Sequence, residues 1–339
     1  MNSKLLSCCV AAICALAMPA RAQGGGYHIL NTVTLGGDGG WDYLNLDPAT
    51  GKLFITRGSH LMVVDPASGK LIGDITGLQG IHGTAFIGGK AYVSEGGANR
   101  VAVIDTASLS KISEIAVGTR PDSILYDAAT RRIFTFNSTS KDATAVDPVS
   151  GKAVGTVALG GKPEAAVSDG KGTIFVNIED KSELVAFDAN SLTVKQHYPL
   201  APCQEPSGIA ADLAHGRVFS GCDNKMIAVT DMKTGKVVAQ IPIGEGVDAN
   251  RFDPATGLVF SSNGESGTLT IAHADSPAKY TVLQELKTAE GARTMELDTQ
   301  SHRLYLVTAD RVPGKPTPTQ PNPRPVPVPG SFRLMVLGR

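Results

Sequence analysis

The sequence predicts an all-β protein: a seven-bladed β-propeller of four-stranded antiparallel blades, closed by an N-terminal strand in the last blade. Three observations support this fold class. A turn phrase recurs with a period of 40 to 45 residues, the segments between the turns are short and rich in β-branched and aromatic residues, and a strand that the last repeat lacks is available at the N-terminus.

The turn phrase reads Asp-Pro-Ala-Thr-Gly-Lys at residues 47–52 and Asp-Pro-Val-Ser-Gly-Lys at residues 147–152. The Asp carboxylate accepts hydrogen bonds within the turn, and Pro presets φ at its own position. Gly takes the left-handed conformation that returns the chain into an antiparallel strand. Each phrase therefore predicts a hairpin turn.

The phrases fall into two series, which indicates two hairpins in each repeat. One series has Asp at positions 65, 105, 147, 188 and 231, and the other at 47, 127, 169, 212, 253 and 298, with Ile87 replacing one Asp. Two hairpins per period make four short strands, which is the spacing of propeller blades. The predicted blades span residues 38–78, 79–118, 119–160, 161–203, 204–244, 245–288 and 289–339.

The segments between the turns have the composition of strands. Examples are Leu-Phe-Ile-Thr at 53–56, Ala-Tyr-Val-Ser at 91–94 and Thr-Ile-Phe-Val at 173–176. Such runs are too short and too rich in β-branched and aromatic residues for helices. The chain is therefore expected to be one all-β domain over residues 23–339.

The last repeat ends at 332–337 without a fourth strand, whereas residues 27–35 match the fourth strands of other repeats. We expect this N-terminal strand to complete the last blade, because closing the ring leaves fewer unpaired strand edges. A Pro-rich segment at 311–330 interrupts the same repeat. Its Pro density favours an extended polyproline II loop that projects from one face and does not join a sheet, either as a spacer or as an arm that docks a partner.

Residues 1–22 have the features of an export signal. Lys4 precedes a short apolar stretch, and small residues precede Gln23. Cleavage would remove three of the five cysteines and two basic residues, leaving 29 basic against 32 acidic side chains and a net charge of −3. We therefore expect a periplasmic or secreted monomer with no transmembrane segment. A weakly acidic chain without a basic block also argues against a nucleic-acid partner.

Only Cys203 and Cys222 remain after that cleavage. In an oxidising compartment two such cysteines predict a disulfide rather than a metal or redox pair. A loop of this length would stabilise the fold by about 3 kcal/mol.

Ala-Tyr-Val-Ser at 91–94 and Ile-Phe-Val-Asn at 174–177, each followed by an apolar strand, resemble the motif of the YVTN-type β-propeller repeat family and its bacterial exported YncE-like branch. The resemblance covers residues 27–339. It implies a seven-bladed ring in the periplasm or at the cell surface, in a family whose members mostly lack an established activity.

Aligning the repeats reveals a column of polar residues that lies five positions before the first turn of each blade and begins the innermost strand. We expect its members to meet at one mouth of the central channel, with Trp41 and Tyr126 as walls, unless Tyr126 lies in the core. The column consists of Asp42, His82, Asp122, Glu164, Ser207, Asp248 and Arg293.

Two interpretations of this column stay open. Crowded carboxylates gain by sharing a cation, which predicts a site for a divalent cation of the calcium or magnesium type, or for a cationic ligand. Alternatively, the acids cap turns or pair with Arg120, Arg251 and Arg293 around a water-filled channel. A second column at the end of the following strand comprises Arg57, Glu95, Asn137, Glu179, Cys222, Asn263 and Thr308.

The expected function is a non-catalytic binding or scaffold propeller that uses one face or the channel mouth to bind a small molecule, a metal ion or a protein. No common catalytic phrase, haem motif or phosphate loop is present in the sequence. The alternative is a cation-dependent enzyme of hydrolase, lyase or lactonase type, with the cation on Asp122, Glu164, Asp248 and His82. A companion to a periplasmic redox system is a third interpretation.

Overall fold

The computed structural model describes residues 25–316, 323 and 325–339. In this part of the chain, seven four-stranded antiparallel sheets form the blades of a β-propeller. The predicted fold class is therefore confirmed. The predicted export signal lies outside the described residues.

Blades 1 to 3 follow one another along the chain, each running from its innermost to its outermost strand. Blade 1 has β2 (Leu44–Leu46), β3 (Leu53–Thr56), β4 (Leu61–Asp65) and β5 (Lys70–Ile75). Blade 2 has β6 (Ile81–Ile87), β7 (Lys90–Glu95), β8 (Arg100–Asp105) and β9 (Ser110–Ala116). Blade 3 has β10 (Pro121–Asp127), β11 (Arg132–Asn137), β12 (Asp142–Asp147) and β13 (Lys152–Ala158).

Blades 4 to 6 repeat the same order. Blade 4 has β14 (Pro163–Ser168), β15 (Thr173–Ile178), β16 (Glu183–Asp188) and β17 (Thr193–Pro199), with a short 3-10 turn at Glu179–Lys181. Blade 5 has β18 (Pro206–Asp212), β19 (Arg217–Cys222), β20 (Met226–Asp231) and β21 (Val237–Pro242). Blade 6 has β22 (Val247–Asp253), β23 (Leu258–Asn263), β24 (Thr268–Ser276) and β25 (Lys279–Lys287).

Blade 7 joins the two ends of the chain. It has β26 (Met295–Asp298), β27 (Arg303–Thr308), β30 (Arg333–Gly338) and, outermost, β1 (His28–Thr34). The register pairs His28 with Gly338 and Thr34 with Arg333. The N-terminal strand thus completes the last blade, as the sequence predicts.

The turn phrase forms the hairpin turn that its residue types predict. Asp47 accepts hydrogen bonds from the Ala49 N–H at 3.1 Å and the Thr50 hydroxyl at 2.6 Å. The Gly51 N–H donates to the Asp47 carbonyl at 2.8 Å, and Gly51 has a φ of 68°. A side chain at this left-handed position would be strained, which explains the Gly in the phrase.

The hydrophobic core lies between neighbouring blades. Phe54 of blade 1 contacts Phe86 of blade 2 with ring centroids 5.0 Å apart, and Phe134 of blade 3 contacts Phe187 of blade 4 at 5.6 Å. A buried side chain of this size stabilises the fold by about 1.5–3 kcal/mol. Because each blade shares such contacts with both neighbours, the ring holds the innermost strands in a common register around the channel.

The Pro-rich segment corrects one prediction. Its base joins a two-stranded ribbon of β28 (Arg311–Val312) and β29 (Val326–Pro327), although we expected the segment to stay out of any sheet. Two adjacent features make the ribbon possible. The Val328 N–H donates to the Asp310 carbonyl at 2.8 Å, and Pro327 still has a carbonyl acceptor although it lacks an N–H. The segment lies between β27 and β30, as predicted.

Cys203 and Cys222 are bonded, with an S–S distance of 2.11 Å and both side chains buried. The predicted pairing is confirmed. It links the chain entering blade 5 to the end of β19. Among the described residues, no helix is long and apolar enough to span a bilayer.

Candidate functional site

The structure brings the six predicted site residues to one cavity of about 450 Å³ at a mouth of the central channel. Each lies at or just before the start of the innermost strand of a different blade, because the repeat places the same position of every blade on the same face. Blade 5 contributes Ser207, whose hydroxyl donates to Asp248 Oδ1 at 2.7 Å. The six residues are Asp42, His82, Asp122, Glu164, Asp248 and Arg293.

The centre of the site is an imidazole between two carboxylates. His82 Nδ1 lies 2.7 Å from Asp42 Oδ2 and 3.6 Å from Asp122 Oδ1. One ligand atom from each of these residues lies within 4.8 Å of the other two. A nitrogen and two carboxylate oxygens at this spacing form one side of a possible metal site.

Arg293 closes the ring between blades 6 and 1. Its Nε donates to Asp248 Oδ2 at 2.6 Å, and its Nη2 lies 3.5 Å from Asp42 Oδ1 and donates to the Trp41 carbonyl at 2.9 Å. Asp248 and Asp42 raise the pKa of Arg293 and outweigh the opposing effect of its burial. This arginine is therefore a permanent positive charge that balances part of the acidic mouth.

Glu164 is paired with a lysine on the opposite side of the mouth. Lys162 Nζ lies 2.7 Å from Glu164 Oε1 and also contacts the carboxylate of Glu179. One ammonium thus serves two carboxylates, which leaves the negative charge around Glu164 only partly balanced.

Crowding perturbs two of the acids strongly. Burial, aided by Asp42 and Asp248, raises the pKa of Asp122 to about 6 against the opposing charges of His82 and Lys162. Burial and the nearby Asp122 raise the pKa of Glu164 to about 9, although Lys162 lowers it. Both acids therefore hold their protons to a higher pH than an exposed carboxyl group does.

Burial alone would lower the pKa of His82, but the hydrogen bond to Asp42 and the charges of Asp122 and Asp42 raise it above its ordinary value. Since an ionised carboxylate only accepts hydrogen bonds, Nδ1 of His82 carries the hydrogen in the bond to Asp42. A cation at Nδ1 would have to displace that proton.

Sequence reasoning missed several residues of the site, among them Lys162, Tyr43 and Gly96. Tyr43 lines the cavity, and burial together with Asp122, Asp248, Glu164 and Asp42 raises the pKa of its phenol, so it remains a donor. A Cβ at Gly96 would lie 2.9 Å from His82 Nε2 and 3.0 Å from the Pro121 carbonyl. The sequence offered one signal for Tyr43, its position next to Asp42. It offered none for Gly96, which contacts His82 and Pro121 only in the folded chain.

The two aromatic residues expected to wall this cavity lie elsewhere. Trp41 is buried in the core against Phe332, with ring centroids 5.6 Å apart, and Tyr126 lines a second cavity in the other half of the channel. The opposite wall of the mouth is formed by Arg311 and Pro325 of the Pro-rich segment. Tyr126 follows Asp122 by four residues in the same extended strand, about 13 Å along it, so it lies away from the mouth.

The predicted arginine pairs are distributed over the channel. Arg293 pairs with Asp248 at the mouth, as expected. Arg251 instead pairs with Glu296 at 2.9 Å within the second cavity, and Arg120 acts on His82 only as a nearby positive charge that lowers its pKa. Among the described residues, arginine pairing at the mouth is therefore partial, and the ion-pair partner of Asp122 is His82, at 3.6 Å.

The second column consists mostly of buried residues that organise loops. Asn137 Nδ2 donates to Asp142 Oδ1 at 2.6 Å and to Thr144 Oγ1 at 2.9 Å. Buried Glu95 accepts from Arg100 Nε at 2.7 Å. Cys222 forms the disulfide, and Glu179 contacts Lys162. These partners are local, which assigns the column to the stability of blade ends.

No protein-family profile and no curated protein matches this sequence. Among solved structures, a chain of the Kuenenia stuttgartiensis hydrazine synthase is similar, with a TM-score of 0.71 and 15% identity over 79% of this chain and 92% of that one. A chain of the mitotic checkpoint complex is similar with a TM-score of 0.76 and 13% identity over 100% of this chain and 99% of that one. At such identities these likenesses show the propeller fold alone.

Proposed function

We propose that this protein is a binding propeller whose channel mouth binds a divalent cation on Asp42, His82 and Asp122. The observation that carries the proposal is the spacing of these three residues, whose ligand atoms lie within 4.8 Å of one another. The negative charges of Asp42 and Asp248 also help to raise the pKa of Asp122, and a divalent cation would relieve that repulsion.

The donor set refines the expected cation. Carboxylates suit calcium or magnesium, as the sequence suggests, and also manganese, whereas an imidazole nitrogen suits zinc. Glu164 and Asp248 line the same cavity, and they can orient water or a cationic group of a small ligand beside the metal. We therefore propose a manganese- or zinc-type site with calcium as the weaker competitor.

Isothermal titration calorimetry of the chelator-treated protein with manganese, zinc, calcium and magnesium chlorides tests this proposal. We expect one equivalent of manganese or zinc to bind, and Asp122→Asn to weaken binding at least about tenfold because it removes an anionic ligand. Asp275→Asn is the matched control, since His273 Nδ1 lies 2.8 Å from Asp275 at an exposed site. Binding that is unchanged by Asp122→Asn would refute the proposal.

An enzyme is the second candidate, and the raised pKa of Glu164 favours it. Because burial raises its pKa, Glu164 holds its proton to a higher pH than an exposed carboxyl group and could donate it as a general acid in hydrolase, lyase or lactonase chemistry. A panel of esters and lactones with manganese-loaded protein tests this activity. Turnover that is lost in the double variant Asp122→Ala with Glu164→Ala, while the melting curve stays cooperative, would establish an enzyme. No turnover of any ester or lactone in the panel would exclude this activity.

We also propose that the protein acts in the periplasm or outside the cell and belongs to the YVTN-type repeat proteins. The disulfide supports an oxidising compartment. The strand motifs at 91–94 and 174–177 support the repeat type. Fractionation of the producing cells, with N-terminal sequencing of the mature chain, tests the export and the cleavage near Gln23.

A further inference from the structure

The channel contains a second cavity, of about 530 Å³, that the cation proposal does not use. It lies farther along the innermost strands, so it occupies the half of the channel away from the acidic mouth. Within the described residues, Tyr43 is the one side chain that lines both cavities. The two cavities can therefore be changed independently by mutation.

The wall of this second cavity is mainly apolar, and all seven blades contribute residues to it. Ile124, Leu125, Ile209 and Phe252 line it, together with Tyr126. A concave, mostly apolar space of about 300–1,000 Å³ with a few polar groups is the usual form of a small-molecule site. An apolar ligand body would gain free energy here by leaving water.

One charged pair lies in this wall. Arg251 Nη2 donates to Glu296 Oε2 at 2.9 Å, and Arg251 Nη1 donates to the Asn250 carbonyl at 2.9 Å. Burial raises the pKa of Glu296, although Arg251 and the Leu297 N–H lower it. The carboxylate thus accepts a hydrogen bond from the guanidinium.

The guanidinium has more capacity for a ligand than the carboxylate. Arginine has five N–H donors, and these two bonds use two of them, in the part of the chain that the structure describes. The side chain of Arg251 is 23% exposed in the cavity wall. A ligand with an acceptor group can therefore bind to Arg251 without breaking its pair with Glu296.

We propose that the second cavity binds an amphipathic small molecule with a planar apolar body and a carboxylate or sulfonate, the apolar body against Ile124, Leu125 and Phe252 and the acidic group on Arg251. The aromatic rings of Tyr126 and Phe252 favour a planar ligand. Charge-assisted hydrogen bonds to the guanidinium select an anionic oxygen group over a neutral one. This site is distinct from the proposed cation site.

Two fluorescent probes with the same ring skeleton test the proposal on the full mature chain. 8-Anilinonaphthalene-1-sulfonate has the anionic group, and N-phenyl-1-naphthylamine lacks it. We expect both to bind with one equivalent per chain, and the sulfonate to bind at least about tenfold more tightly. Equal affinities would overturn the role of Arg251.

Three variants locate the binding. Arg251→Met with Glu296→Met removes the pair as a unit, which avoids an unpaired buried charge, and should reduce sulfonate binding at least about tenfold while preserving binding of the neutral probe. Ala211→Trp fills the cavity and should abolish binding of both probes, whereas Val149→Trp, at a position that is 94% exposed, should change neither. Probe binding that persists in Ala211→Trp would refute the site.

The fold of each variant is checked by its melting curve and by its manganese isotherm. Where Ala211→Trp lowers the melting temperature, the smaller Ala211→Leu takes its place with the same expected direction. Because probe binding and manganese binding are separate readouts, loss of one with retention of the other shows which of the two proposals has failed.

Discussion

His82 Nδ1 donates to Asp42 Oδ2 at 2.7 Å, and this bond links the innermost strands of blades 1 and 2 across the channel mouth. Asp122 of blade 3 lies 3.6 Å from the same nitrogen. Three consecutive blades therefore share one ionisable cluster. The stability of the ring and the chemistry of the mouth are consequently coupled through His82.

The first prediction concerns pH and His82. Because the pKa of His82 is raised above 6.5 in the folded state, its contribution to stability is fully present below about pH 6.5 and is lost as pH rises through the folded value. In chelator, the difference in melting temperature between the wild type and His82→Gln should shrink between pH 6 and pH 8.5. A difference that is constant over this range contradicts the assignment.

The second prediction concerns Glu164. Folding raises the pKa of Glu164 from 4.5 to about 9, so its contribution to stability is present below about pH 4.5 and is lost progressively up to pH 9. Glu164→Gln should therefore stabilise the metal-free protein at pH 8 by about 1 kcal/mol or more, and should have little effect at pH 4.5. Urea denaturation at both pH values measures this; equal effects would show that Lys162 fully compensates the carboxylate.

The third prediction concerns the pH dependence of cation binding. His82 must lose its proton and Asp122, with a pKa of about 6, must ionise before both can bind a cation. We expect the affinity for manganese to rise by clearly more than tenfold per pH unit between pH 5 and pH 6, because both protons must leave, and more slowly once both groups have lost them. Calorimetric titrations at several pH values test this slope, and Asp122→Asn should flatten it.

The fourth prediction concerns the disulfide. Cys203→Ser with Cys222→Ser should lower the free energy of unfolding by about 3 kcal/mol, because the bond closes a loop between residues 19 positions apart. Chemical denaturation under non-reducing conditions gives the difference. Adding reductant should destabilise the wild type and leave the double variant unchanged.

The fifth prediction concerns ring closure. Tyr27 is 3% exposed, contacts the Phe260 ring at a centroid distance of 5.2 Å and donates to the His302 carbonyl at 2.8 Å. Tyr27→Ala should cost about 3 kcal/mol or more, since it creates a cavity where the N-terminal strand meets blades 6 and 7. His28→Ala, at an exposed neighbouring position, is the control and should change the midpoint of unfolding little.

The local sequence pattern determined the hairpins, the number of blades and the order of the strands. Asp47, Gly51 and their equivalents define hairpins through contacts within a few residues, so the blade count, the strand order and the missing fourth strand of blade 7 follow from the sequence. The same periodicity assigns Asp42, His82, Asp122, Glu164, Asp248 and Arg293 to one mouth, because symmetry repeats one position in every blade. The disulfide prediction follows from Cys203 and Cys222 being the two cysteines outside the predicted export signal.

Only the tertiary structure decided which of these side chains interact. Periodicity places residues on a face, but it does not specify that His82 binds Asp42, that Arg293 lies between Asp42 and Asp248, or that Arg251 pairs with Glu296 in the other half of the channel. Those contacts depend on side-chain direction and on the distances between the blades. The burial that raises the pKa of Asp122 and Glu164 likewise arises when seven distant segments converge, and no single segment contains that information.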